Sequence, residues 1–202
     1  MWRRSLVAVL VALTFDDGPG PYTPRLVTVL RRHHAQATFF VVGNRLRYWS
    51  SYARAAAKVG ELGNHSWDHP HLARLRPAAV MRELRSTQQE IARRTGQWPP
   101  FFRPPYEEAT RPVERAARVL GLIDVRWSAD SGDSLPGATP ARTLARADAA
   151  LRPGAIILLH DSHPWTADVA AAILNTVRAR HLRAVTLSRM LTLDPPRRSC
   201  IR

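Results

Sequence analysis

The chain is poor in residues that staple or bridge a fold. Its 202 residues include one cysteine, Cys200, two positions from the end. A single thiol excludes an internal disulfide and any thiolate metal cluster. Lysine is equally scarce: Lys58 is the only one, so arginine carries almost all the positive charge. The 30 basic residues outnumber 16 acidic ones, leaving a formal net charge of +14. Such a balance favours anionic partners: nucleic acid, acidic polymers or membrane surfaces. The arginines nevertheless lie along the whole sequence, without a dense basic tract or interleaved aromatics. A nucleic-acid reader gathers them on one element, so no nucleic-acid partner is expected. No run approaches about 20 apolar residues, so no membrane-spanning segment is expected either. Internal repeats and linker-like stretches are also missing, and the 16 prolines and 10 glycines are scattered as punctuation. One domain over residues 1–202, with a core of about 8–191, is the expectation.

Among the features present, the most informative is the pair Asp16-Asp17 after the apolar run from Leu6 to Phe15. Met1-Trp2-Arg3-Arg4 and the apolar stretch imitate a secretory signal peptide. Processing after that stretch would fall beside the two aspartates or remove them, so the run is read as a first strand. It is too β-branched and too uniformly apolar for a solvated helix, and suits a parallel strand buried on both faces. Gly18-Pro19-Gly20-Pro21 then breaks the chain. Two charges at the end of a buried strand are costly unless a cation or hydrogen bonds await them.

Further along, short apolar runs alternate with helical stretches, as in an α/β fold. Helices are expected over 23–34, 52–59, 78–95, 112–120, 141–150 and 166–180. Strands are expected over 37–42, 61–64, 123–127, 155–159 and 184–187, with a short one beginning at Phe101-Phe102. Several strands end in polar clusters: Asp16-Asp17, His65 to His69, Arg103 to Tyr106, Asp130 to Asp133, and His160-Asp161. A distorted (β/α) barrel of about seven strands, with its site at the C-terminal edge, reads this way in one dimension. His65 and His69 stand at i and i+4, close enough for one cation if the segment turns helically. Two imidazoles and a carboxylate suit a borderline divalent metal with open positions. The remaining histidines, His33, His34, His71, His163 and His181, are expected on helix ends or loops, in solvent.

Together, Thr14-Phe15-Asp16-Asp17-Gly18-Pro19, His65-Ser66-Trp67-Asp68-His69-Pro70, Arg103-Pro104-Pro105-Tyr106 and Leu158-Leu159-His160-Asp161 resemble the ordered motifs of the polysaccharide deacetylase family. This is the NodB-homology domain, or carbohydrate esterase family four. The resemblance implies metal-dependent removal of acetyl groups from N-acetylglucosamine in chitin-type oligomers or peptidoglycan. An acetylxylan-type O-deacetylase, or a glycan-binding relic with little turnover, are the alternatives. Carried over, Asp17, His65 and His69 would hold the metal, zinc by family habit, with cobalt or another divalent ion also possible. Asp16 would be the base, Arg103 would hold it ionised, and His160, tuned by Asp133, would be the acid. The Tyr106 N–H would face the oxyanion and Leu158 the acetyl methyl. The resemblance further implies a glycan partner, a monomer, and work outside the cell or in its envelope. Two positions depart from the pattern. Ser134 replaces the tryptophan that usually walls the acetyl pocket, which should loosen it or let another loop fill it. Glu107 replaces a glycine after Arg-Pro-Pro-Tyr.

Overall fold

Everything is arranged around the first strand. A computed structural model of the chain describes residues 9–193, and β1 spans Leu10–Gly18. It is followed by α1 (Thr23–Arg32), β2 (Ala37–Val41), α2 (Leu46–Ala57), β3 (Gly60–Asn64), α3 (Pro77–Thr95) and β4 (Phe101–Phe102). Then come α4 (Arg111–Val119), β5 (Ile123–Asp124), β6 (Ala129–Asp130), α5 (Pro140–Ala150), β7 (Ile156–His160), α6 (Thr166–Ala179), β8 (Arg183–Ala184) and α7 (Leu187–Leu193). Residues 1–8 and Cys200, on which the leader-like and thiol readings fall, lie outside the described residues. No described helix is long and apolar enough to cross a membrane.

Every strand pair is parallel, and seven strands follow the order β5-β4-β3-β2-β1-β7-β6 in one curled half-barrel. The short β8 pairs with the start of β1. There the Leu10 carbonyl accepts from Gly154 and the Val11 carbonyl from Val185, so β7 and β8 flank opposite edges.

The two-residue alternation of strands divides the core. Along β1, Val11, Leu13 and Phe15 join the cluster packed under the helices, whereas Leu10 and Ala12 belong to the barrel interior. Along β7, Ile157 and Leu159 face the helices, and Ile156 faces the interior. Each of these side chains except Ala12 contributes roughly 1.5–3 kcal/mol on burial. The inward series of β1 therefore continues to Thr14 and Asp16, and that of β7 to Leu158 and His160.

Three elements depart from the sequence reading. The strand expected over 123–127 stops at Asp124, because the carbonyls of Val125 and Arg126 turn to the Arg103 guanidinium at 3.1 and 3.4 Å. The strand expected to reach Leu187 ends at Ala184, and α7 takes over, placing Leu187 and Met190 in the inner cluster. The helix expected from Tyr52 begins at Leu46, with non-helical backbone at Trp49.

Candidate active site

Asp16 is the last inward residue of β1, and strict alternation would send Asp17 outward. A register shift in the β1–β2 ladder between Asp16 and Gly18, with Asp17 at φ 69°, turns it back. This left-handed backbone is unusual for a non-glycine residue, and it brings both carboxylates to one cleft. Arg45 donates to the Asp17 carbonyl and so holds the bulge. Behind it, Thr23 accepts from the Gly20 N–H at 2.8 Å and donates to buried Asp161, pinning the 18–23 turn. Burial pushes Asp161 up to about 7, only partly offset by the Thr23 hydroxyl and Arg45.

Arg103 leaves β4 into the barrel and is fully buried. Its Nη1 donates to Asp16 Oδ1 at 2.7 Å and to Thr14 Oγ1 at 2.8 Å. Its charge sits 4.1 Å from the centre of the Phe40 ring and 5.4 Å from that of Trp127. With Nε and Nη2 on the Val125 and Arg126 carbonyls, the guanidinium is held on every edge. A buried charge needs such satisfaction. One Asp16 oxygen is thereby fixed, while Oδ2 lies 3.8 Å from His65 Nε2.

The histidines come together without a helical turn. Residues 65–69 form a loop after β3, with Ser66 at φ 64° and His69 at φ 57°. The Asn64 side chain accepts from the Ser66 N–H at 2.9 Å, and Ser66 Oγ accepts from the His69 N–H at 3.1 Å. His65 Nδ1 donates to the Arg103 carbonyl at 2.7 Å, so its Nε2 carries the lone pair. His65 Nε2 lies 3.5 Å from Asp17 Oδ1, and His69 Nε2 lies 3.3 Å from the same oxygen. Ligand atoms about 2.0–2.1 Å from a tetrahedral zinc are spaced at about 3.3 Å. The two Asp17 spacings match that value, and the three ligand atoms all lie within 4.8 Å of one another, so the group can hold a small divalent cation. Burial raises the Asp17 pKa, but the three imidazoles of His65, His160 and His69 outweigh it and hold the carboxyl well below the usual range. Burial and His65 together lower His69. Asp17 is thus ionised near neutral pH, the form in which a carboxylate can hold a cation.

Across the cleft, Asp133 grips His160 twice. Oδ1 accepts from the ring Nδ1 and Oδ2 from the backbone N–H, each at 2.7 Å. Burial alone would lower the imidazole, yet Asp133, with Asp16 and Asp17, pushes it up to about 9. His160 accordingly carries a proton near neutral pH, with Nε2 free of Asp133.

A family model described as polysaccharide deacetylase matches residues 6–124. The chain belongs to the polysaccharide deacetylase family. It is 34% identical over 185 residues to peptidoglycan-N-acetylglucosamine deacetylase PgdA of Listeria monocytogenes, covering 89% of this chain and 38% of that one. It is 40% identical over 158 residues to a chitooligosaccharide deacetylase of Bradyrhizobium, covering 76% of this chain and 71% of that one. A family 4 carbohydrate esterase from Streptomyces lividans, solved in complex with acetate, superposes with a TM-score of 0.83 at 33% identity, covering 87% and 91%.

Asp16, Asp17, His65, His69 and His160 line a cleft of about 440 Å³, together with Tyr106 and Leu158. All nine residues singled out from the sequence are at this barrel end. Arg103 and Asp133 lie behind the lining, each reaching it through a partner. The family tryptophan is missing at Ser134, but Leu135 and Trp127 line the same cleft. The gap expected there is therefore bordered by apolar groups that the motif comparison did not identify. Tyr106 and Glu107 both adopt left-handed backbone, φ 55° and 60°, and the Glu107 carbonyl accepts from Arg126 at 3.0 Å. Arg126 is in turn paired with Asp124. Two histidines expected in solvent have partners at the rim. His71 bonds Glu108 at 2.8 Å and stacks on Tyr106 at 4.1 Å, and His163 donates to the Asp133 carbonyl at 2.9 Å. No periodicity marks either residue, because each contact joins separate loops.

Proposed function

We propose that the chain is a metal-dependent deacetylase, removing acetyl groups from N-acetylglucosamine units of a chitin-type or peptidoglycan-type glycan. The observation that carries this reading is the triad Asp17, His65 and His69 at cation spacing beside Asp16, which has one oxygen tied and one facing the triad. The names of the Listeria and Bradyrhizobium relatives support the substrate class. The chain spans 38% of the Listeria protein. Work at the cell envelope or outside the cell follows from the same reading.

Zinc is the metal that the donor set suits best. Such an ion, when bound, supplies Lewis acidity toward the acetamide carbonyl and the attacking water. The chain's own residues divide the rest. Asp16 Oδ2 takes the proton from that water, and Arg103 keeps Asp16 ionised through a charge-assisted hydrogen bond. The Tyr106 N–H faces the charge developing on the carbonyl oxygen. His160 Nε2 delivers a proton to the departing nitrogen, without which an amine is a very poor leaving group. Leu158 packs against the acetyl methyl.

The test is acetate release from chitooligosaccharides, peptidoglycan and acetylxylan, with and without a chelator. Release from the N-acetylated glycans that the chelator abolishes is expected. Absence of metal-dependent release from all three refutes the proposal, and release from acetylxylan alone reassigns the substrate. Asp16→Asn should retain zinc in a calorimetric titration while losing at least 100-fold in turnover, the scale of general base catalysis. His69→Ala should lose the zinc.

A further inference from the structure

The opposite end of the barrel carries a second concavity, of about 650 Å³, which the proposed reaction does not use. Its wall comes from the segments after α1 and α6, from β8, and from α7. Four arginines line it: Arg32, Arg178, Arg183 and Arg189. Three histidines join them, His33, His34 and His181, and among the described residues no aspartate or glutamate lines the cavity. Scattered over more than 150 positions in sequence, these arginines form no basic tract there, and the fold gathers them.

Helix electrostatics accounts for part of the cluster only. Arg32 and Arg178 stand in the last turns of α1 and α6, where cations complement the dipole. Arg183 lies in β8, and Arg189 lies in the first turn of α7, which has no acidic residue to balance it. None of the four has a carboxylate partner among the described residues. Unpaired cations held around one concavity repel each other unless an anion sits between them.

We infer that this cavity is a docking site for a linear polymer of phosphate groups, separate from the glycan cleft. Arginine forks match phosphate oxygens in pairs, and several around one cavity suit consecutive phosphates. Among the described residues no phenylalanine, tyrosine or tryptophan lines it, so these offer no platform for stacked bases, which argues against single-stranded nucleic acid. Docking at this end would hold the chain on a phosphate-bearing matrix while the far end works on sugar.

The experiment uses biotinylated long-chain inorganic polyphosphate on a biosensor, with the full chain in solution at several salt concentrations. Four neutralised phosphates give a log–log salt slope of about −3. Arg183→Glu/Arg189→Glu should weaken binding at least tenfold and roughly halve the slope. Arg54→Glu/Arg82→Glu, with the same net charge, should weaken it less than about threefold. Arg32→Gln/Arg178→Gln repeats the test should the first pair not fold. Acetate release from soluble chitooligosaccharide should be unchanged in every pair, so loss of docking and loss of catalysis are read separately. Equal losses in the site and control pairs, or tighter binding of polyglutamate or of DNA, overturn the inference.

Discussion

Asp133→Asn probes the proposed proton donor, His160, most directly. The variant keeps the shape of the side chain but removes its charge and one acceptor. Asp133 receives two hydrogen bonds from His160, whereas asparagine has a single oxygen for them. One buried N–H is left facing an NH2 group, at about 1–3 kcal/mol. The lost charge has the larger effect on chemistry. Burial alone would lower His160, but Asp133, Asp16 and Asp17 raise it from 6.5 to about 9. At about 1.4 kcal/mol per pKa unit, that rise corresponds to roughly 3 kcal/mol in favour of the imidazolium. Because the folded value is raised, this stabilisation is complete below about pH 6.5 and is lost as pH climbs through about 9. The wild type should therefore lose stability to urea across that window, and Asp133→Asn should lose much less. In the profile of kcat/KM for acetate release, the alkaline limb of the wild type should lie near 9, and in the variant one to two pH units lower, by about the share that Asp133 supplies. A variant that is slower at all pH values with its alkaline limb unmoved would refute the assignment of His160 as acid.

Arg103→Met leaves Asp16 buried opposite an apolar chain. It should destabilise the fold by about 3–5 kcal/mol in chemical denaturation, the cost of breaking a buried pair from one side, with turnover lost as well. Glu107→Gly should do the reverse to stability. Left-handed backbone costs a non-glycine residue about 1–2 kcal/mol, and the extra freedom of unfolded glycine returns about 0.5–1. A net gain of about 0.5–1 kcal/mol, seen as a melting temperature raised by roughly 1–4 °C, is the expected result, and a lowered one would show that the Glu107 side chain has a stabilising role.

The parts that were legible in sequence are those where one strand states its own case. The apolar run before Asp16 announces a doubly buried strand, and alternation along it tells which side chains face inward. The motif residues then fall at strand ends, where a parallel barrel collects its site. What resisted reading depends on backbone sign or on contacts between loops. Nothing in the order Asp16-Asp17-Gly18 reveals that Asp17 adopts φ 69° and so shares a cleft with its neighbour. The i, i+4 spacing of His65 and His69 suggests a helix, whereas Asn64 and Ser66 side chains fold a loop that brings the rings together. The two-residue strands β5, β6 and β8 are too short for any periodicity, and the grouping of Arg32, Arg178, Arg183 and Arg189 exists only after folding.

Charge distribution connects the two ends. A chain with a net charge of +14 would be expected to repel a divalent cation. Each arginine near the cleft is instead engaged: Arg103 on Asp16, Arg45 on the Asp17 carbonyl, Arg126 on Asp124 and the Glu107 carbonyl. Their charge is directed into protein oxygens, and the Asp16, Asp17 and Asp133 carboxylates set the local field. At the far end the relation is inverted, with arginines and, among the described residues, no lining carboxylate. The two ends lie at opposite termini of β1, nine residues or about 30 Å of strand, several times the Debye length of about 8 Å at physiological salt. The proposed cation site is therefore compatible with so basic a chain, because the arginines beside it are locally neutralised and the unneutralised ones are kept where they cannot oppose it.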